Sequence, residues 1–398
     1  MPAIVISKRR GFITPLAMVA AIFLFIIGMG LLTLGFHRRL YSIRSNHQLN
    51  ARCAADYGLT KAVFEMNSHL SPLTIDDDNL PAGSNLTILG NDATYSYSVS
   101  GSMGNYSVRA TGRSGSQTKT VLCDLRLKSA FEYAILTKNT LDIGSCSEVD
   151  CVGCGNISLK IGTTNNPDAE IILKPNSTVN GDILIGQDGT PEVIIGSGAV
   201  ITGGIYAVAT DFDLPTPTVP SYLNEGTATN FGTINIDNGA SRTLTAADSG
   251  VYEGINLKNS AFLTISGNVE LYVKNNIILG NSAHIDVDPG STLTIYLAGS
   301  LEGKYGTGFS NSGDPSQLAI YGLYSGAIDI KNSDEFHGTI YAPDASVQID
   351  NNVKIFGSVI AKDYKQNNSA IFTYDASLRT ASIEDDFVRF VPTHWREQ

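Results

Sequence analysis

No other feature constrains this chain as much as residues 12–36, twenty-five positions without a charged side chain, bracketed by Lys8, Arg9 and Arg10 before and by His37, Arg38 and Arg39 after. As a helix rising about 1.5 Å per residue, the run reaches roughly 37 Å, against a hydrocarbon core of about 30 Å. It is long enough to span with some tilt. A secretory signal would carry a shorter apolar region, about 7 to 15 residues, and end in small residues of the Ala-x-Ala kind. Neither feature is present. Positive charge on both flanks leaves the orientation rule uninformative, so placing the C-terminal part outside rests on other features.

The helix is expected to continue past the apolar run. Ala51, Ala54, Ala55, Gly58, Leu59, Ala62, Val63 and Met66 follow the spacing of an amphipathic stripe, with Arg52, Asp56, Thr60 and Lys61 opposite. Pro72 stops the pattern, which predicts one helix over about 13–69. The small residues at Ala51, Ala54, Ala55 and Gly58 permit close approach of another surface, either the chain's own globular body or a neighbouring subunit.

The rest of the chain has a different composition. Charged residues make up only 16% of 398 positions and glycine contributes 39, which excludes a helical bundle and points to short strands joined by turns. A formal charge of −11 argues against sequence-independent binding of nucleic acid. Six histidines and one tryptophan leave little material for a catalytic cluster.

Residues 1–70 resemble a type IV pilin-like N-terminus: a short basic leader ending in Arg9-Arg10-Gly11, then Phe12, then one helix that is apolar first and amphipathic later. In that family a prepilin peptidase cuts after the glycine. The resemblance places the cut between Gly11 and Phe12, leaving 24 basic against 38 acidic side chains and a charge of −14. The run Ala54-Ala55-Asp56-Tyr57-Gly58-Leu59 is also similar to one in PilX-like minor pilins and in the pseudopilin that caps type II secretion fibres. Major pilins carry Glu at the fifth mature position, where this chain has Leu16. A carboxylate in lipid is costly without a partner, so its absence fits a subunit with no neighbour above it.

Period-two alternation over 94–127, with Gly101, Gly104, Gly112 and Gly115 at turns, predicts a small antiparallel sheet packed on the helix stripe within a subdomain at 71–130. From 131 to 380 the chain repeats itself. Val347-Gln348-Ile349 echoes Ile328-Asp329-Ile330 at a shift of nineteen, and Gly357-Ser358-Val359-Ile360-Ala361 echoes Gly338-Thr339-Ile340-Tyr341-Ala342 at the same shift. Ile285 follows Leu263 by twenty-two, Ile295 follows Leu271 by twenty-four, and Gly204-Ile205-Tyr206-Ala207 matches the Ile-Tyr-Ala run. A wandering period of this size, with aliphatic strands and Gly, Asn and Asp corners, predicts a parallel β-helix. Pro215, Pro217 and Pro220 cannot sit inside a coil, so 211–222 is expected to run along the outside, and 381–398 is expected to be a partly ordered tail. The C-terminal region resembles an uncharacterised β-helical domain found behind PilX-like N-termini. The resemblance rests on Gly338 to Pro343, Phe356 to Val359 and Phe372 to Leu378, with Thr373 where that domain usually has His.

Of five cysteines, Cys146, Cys151 and Cys154 have the spacing of three ligands of a plant-type iron-sulfur loop, but no fourth ligand follows. A disulfide among these three is the favoured reading for an exported chain, with unpaired or metal-bound thiols as alternatives. Cys53 and Cys123 have no evident partner. The acidic pairs Asp211 with Asp213, Asp286 with Asp288, and Asp334 with Glu335 are the candidates for acid–base chemistry or calcium. Asp286 and Asp288 flank Val287 beside the Pro289-Gly290 corner and are expected to be solvated, as is the run Asp76-Asp77-Asp78.

The expectation is a mostly β protein with a long N-terminal helix, a small antiparallel sheet and a C-terminal parallel β-helix. Its function is expected to be that of a minor pilin-like or pseudopilin-like subunit, without catalytic residues, cofactor, metal or nucleic acid. The implied partners are a prepilin peptidase, a methyltransferase acting on the Phe12 amine, other pilins or pseudopilins, an inner-membrane assembly platform with its ATPase, and a surface polysaccharide. The implied location is the inner membrane, single-pass, with the body in the periplasm or on a fibre. The alternatives are a membrane-anchored carbohydrate-binding or carbohydrate-active β-helix and a surface protein that polymerises through its coil ends.

Overall fold

The computed structural model describes residues 13–70, 77, 79–88, 92–102, 105–155, 157–164, 170–186, 192–207, 214–311, 313–331, 335–379 and 389–397. Gly11 and Phe12 lie outside them, as do Asp76, Asp78, Asp211, Asp213 and Asp334. The chain divides into two units, Met1–Leu127 with Ser382–Gln398, and Lys128–Ala381.

The first unit is built on one helix, α1 (Ile13–Leu70), of 58 residues. Its apolar half is bare: Phe25 and Leu32 are 70% and 75% exposed. This half is long and apolar enough to cross a membrane. From Ala51 onward the stripe is buried under an antiparallel sheet of β1 (Ala82–Thr87), β2 (Thr94–Ser102), β3 (Asn105–Ser114) and β4 (Gln117–Lys128). A fifth strand, Arg389–Glu397, pairs beside β4. Within the segment expected to be a partly ordered tail, residues 389–397 thus form a strand of the head sheet. Phe390, Trp395 and Glu397 hold the strand down, although no repeat in the sequence announces it. The Phe390 N–H donates to Asn67 Oδ1 at 2.7 Å, Asn67 Nδ2 donates to the Phe390 carbonyl at 3.2 Å, and the buried Phe390 ring meets Tyr106 edge-on. Arg52 lies over the Trp395 ring, and Glu397 accepts from Lys119 at 2.8 Å.

The second unit is a parallel β-solenoid of about nine turns, with three strands per turn. Its rungs have the shifts present in the sequence. Ile328 pairs with Val347, Gly338 with Gly357, Leu263 with Ile285, and Leu271 with Ile295. Alternation puts Ile, Val and Leu inside, where each is stacked between neighbours from the adjoining turns. One corner column holds residues with positive φ, among them Ser260, Ser282, Asn352, Ser369, Cys146 and Asn176. Asn side chains support this corner by accepting from the next rung's backbone, as Asn238 and Asn259 do for the N–H groups of Asn259 and Asn281.

Turn order in space differs from turn order in sequence. Strand Ile135–Thr137 is sandwiched between residues 359–361 on one side and 161–163 on the other. The solenoid therefore starts in its middle. It winds outward to Ala207, and after the Pro-rich crossing it resumes at Thr233 and winds back to meet its own first turn. The crossing lies along an outward column of Tyr272, Tyr296, Tyr321 and Tyr341. Tyr341 donates its hydroxyl to the Pro215 carbonyl at 2.9 Å, Thr216 hydrogen-bonds Asp344, and Tyr222 donates to Glu270 at 2.7 Å. Leu214 and Leu223 are buried on this side. Prolines suit the segment because it binds through side chains and carbonyls and supplies no ladder N–H groups.

Candidate functional site

The helix stripe is the first candidate. All of Ala51, Ala54, Ala55, Gly58, Leu59 and Ala62 are buried, and they face the chain's own β2 and β3. Gly112, expected at a turn, lies inside β3, where a Cβ would run into the Ala51 carbonyl oxygen and lie 2.5 Å from Ala55 N, so helix and strand touch backbone to backbone. At Gly58 a Cβ would meet the Tyr95 ring at 3.2 Å. Tyr97 donates to Glu65 at 2.6 Å, and Lys61 pairs with the same carboxylate. Burial, with Glu65 close by, pushes the Tyr97 hydroxyl well above its ordinary value, so it stays a donor. The small residues thus seat the head on its helix, and the apolar half of α1 stays exposed.

The cysteines separate. Cys151 and Cys154 form a disulfide with a Cα–Cα distance of 6.0 Å, whereas Cys146 is a free, exposed thiol. Cys146 occupies the left-handed corner column at φ 57°, and the strand Glu148–Val152 carries the chain away from it before Cys151 is reached. Arg379 donates to the carbonyl of Ser158 at 2.9 Å and to Cys154 Sγ at 3.3 Å. Cys53 is exposed and Cys123 buried, both as free thiols. Among the described residues no group of three His, Cys, Asp or Glu side chains could hold a metal ion.

The third feature is an open cleft of about 710 Å³ on one face of the solenoid. Two outward columns form it. One runs Phe262, His284, Gly308, Glu335, Lys354, and the other runs Thr264, Asp286, Ser310, His337, Phe356. Phe262 stacks on His284 at 5.7 Å and His337 on Phe356 at 4.4 Å, which puts a ring pair on each side of the bare Gly308–Ser310 rung. Asp286, expected at a solvated edge, is half-buried here. Desolvation raises its pKa, with Asp288 adding to the rise and His284 opposing it. Glu335 accepts from His337 Nε2 and Lys354 Nζ, each at 3.2 Å, and those contacts hold its carboxyl below the usual range. His337 Nδ1 is buried without a hydrogen-bond partner among the described residues. Of the expected acidic pairs, the structure brings one member each of two, Asp286 and Glu335, to a common cleft. Sequence reasoning missed His284, His337, Lys354 and Phe262, which meet only after the chain is wrapped at rung spacings of 19 to 27.

Comparison with known proteins gives a family match over part of the chain and a similarity to a solved structure. A family described as a domain of unknown function, DUF7305, matches residues 213–381, from the Pro-rich crossing to the end of the solenoid. The turns over 135–207 lie outside that match. A search of solved structures finds similarity to the crystal structure of the competence-associated pilin ComZ from Thermus thermophilus. The identity is 11%, with 88% of this chain and 97% of that chain covered, at a TM-score of 0.24. No curated protein matches the chain.

Proposed function

We propose that the chain is a minor pilin-like subunit, non-catalytic, that is held by α1 in the inner membrane and then packed into a type IV pilus or a type II secretion pseudopilus. Its solenoid stands on the periplasmic or extracellular side. The observation that carries this reading is the division of one unbroken helix: a bare apolar half, then a half clamped under an antiparallel sheet by Ala51, Ala54, Ala55, Gly58, Leu59 and Ala62. The clamped half serves its own head, so the bare half is the surface left for lipid first and for neighbouring pilins afterwards. Leu16 supplies no carboxylate to pair with a subunit above, which favours a tip or minor position. The prepilin peptidase would act between Gly11 and Phe12, followed by a methyltransferase on the new amine and by the assembly platform. N-terminal sequencing of the protein from membranes and from sheared surface fibres tests the assignment. Phe12 at the terminus is the expected result, and an intact Met1 in both fractions overturns it.

A further inference from the structure

The open cleft of the solenoid has a chemistry of its own, and its reading stands apart from the assembly role. Its floor strands are already paired on both sides: His284–Val287 lies between 262–265 and 308–310. No backbone edge is therefore free to add a peptide strand, and recognition falls to side chains. Those side chains are of two kinds. Flat rings stand at both sides of the bare rung, with the outer Phe262 ring 40% exposed. Beside and between them lie polar groups: the carboxylates of Asp286 and Glu335, the Ser310 hydroxyl and the amides of Asn311 and Asn352.

This pairing of apolar faces with hydroxyl-binding acceptors suits a ligand that is itself apolar on its ring faces and ringed by hydroxyls. From Phe262 to Lys354 the cleft crosses five rungs, about 19 Å at roughly 4.8 Å per step, which accommodates more than one ring in a row. The volume of about 710 Å³ also falls within the range of a ligand site. Charge narrows the class. The Lys354 ammonium is already paired with Glu335, and Asp286 adds a second carboxyl to the cleft. An acidic sugar would bring its carboxylate towards Asp286 and Glu335 with the lysine of the cleft already engaged.

We propose that this cleft binds a neutral saccharide chain, with Phe262 as a stacking platform and with Asp286 and Glu335 accepting from sugar hydroxyls.

The test is titration calorimetry of the detergent-solubilised full-length protein against maltohexaose, cellohexaose and xylohexaose, with a hexagalacturonate as the charged probe. At least one neutral hexaose is expected to bind, and Phe262→Ala should weaken that binding about tenfold, the loss of one aromatic contact. Asp286→Asn preserves shape and should weaken it as well, so a folding defect at Phe262 cannot imitate the result. Failure of all three neutral chains to bind, binding of the galacturonate alone, or native affinity in both variants overturns the proposal.

Discussion

In the head, a helix of small residues lies backbone to backbone on β3; in the solenoid, aliphatic side chains from successive turns fill the space between three walls of strands. The head depends on the absence of atoms, the solenoid on their presence. Added volume should therefore be disastrous in the first and lost volume merely costly in the second, because a removed methylene is felt mainly by the turns above and below. A contact made through close approach concentrates its stability at a few positions. A stack distributes it.

The sharpest way to break this contrast is Gly112→Val. With the Ala51 carbonyl in the way, the helix must lift off β3, and a loss of more than about 3 kcal/mol in head stability is expected. Two-step thermal unfolding, with only the head step displaced, is the readout; displacement of both steps refutes it. Ile295→Ala, fully buried between Leu271 and Ile320, should cost about 2–5 kcal/mol, this time in the solenoid step alone. Asn67→Ala removes both hydrogen bonds to Phe390, and about 1–3 kcal/mol should go with them. Hydrogen exchange should then rise across Arg389–Glu397 and not in the solenoid.

Asp286 sharpens the comparison by pH. Its raised pKa means that the folded state prefers the protonated acid, so stability falls as pH rises through the folded value. Asp286→Asn should accordingly raise the solenoid melting temperature at neutral pH, by less than the Asn67 change lowers that of the head. The gain should vanish in acid, where the carboxyl is protonated in folded and unfolded chains alike. A gain that persists unchanged at low pH contradicts this account. The smallest stability effect belongs to Arg242, which is in register with the inward Leu263 yet exposed in the turn beginning at Thr233. A charge there discourages further stacking. Arg242→Leu should change stability by only about 0.5 kcal/mol while promoting association, visible as concentration-dependent light scattering.

Much of this architecture was legible along the chain because a solenoid writes its register as a period. The shifts of nineteen, twenty-two and twenty-four are the spacings of bonded rungs, and Ile205 and Ile340 occupy one inward column. The helix was legible for the same reason, as Ala51 to Met66 repeat at helical spacing. What escaped notice lies between non-adjacent segments. The corner at Cys146 depends on φ, which a spacing of cysteines does not encode. The strand Arg389–Glu397 is set by Asn67, more than three hundred residues earlier. The cleft combines side chains from five turns, none of which carries a recognisable motif alone.

The middle start of the solenoid has a consequence for how such a chain is completed as it is made. Emerging with its N-terminus first, it presents Ile135–Thr137 long before residues 359–361 arrive to close against it. A seam stays open through most of synthesis, and only a nearly complete chain can zip it shut. Products interrupted earlier would keep that gap, with unpaired backbone and aliphatic residues open to proteases, so the winding order doubles as a check on completeness.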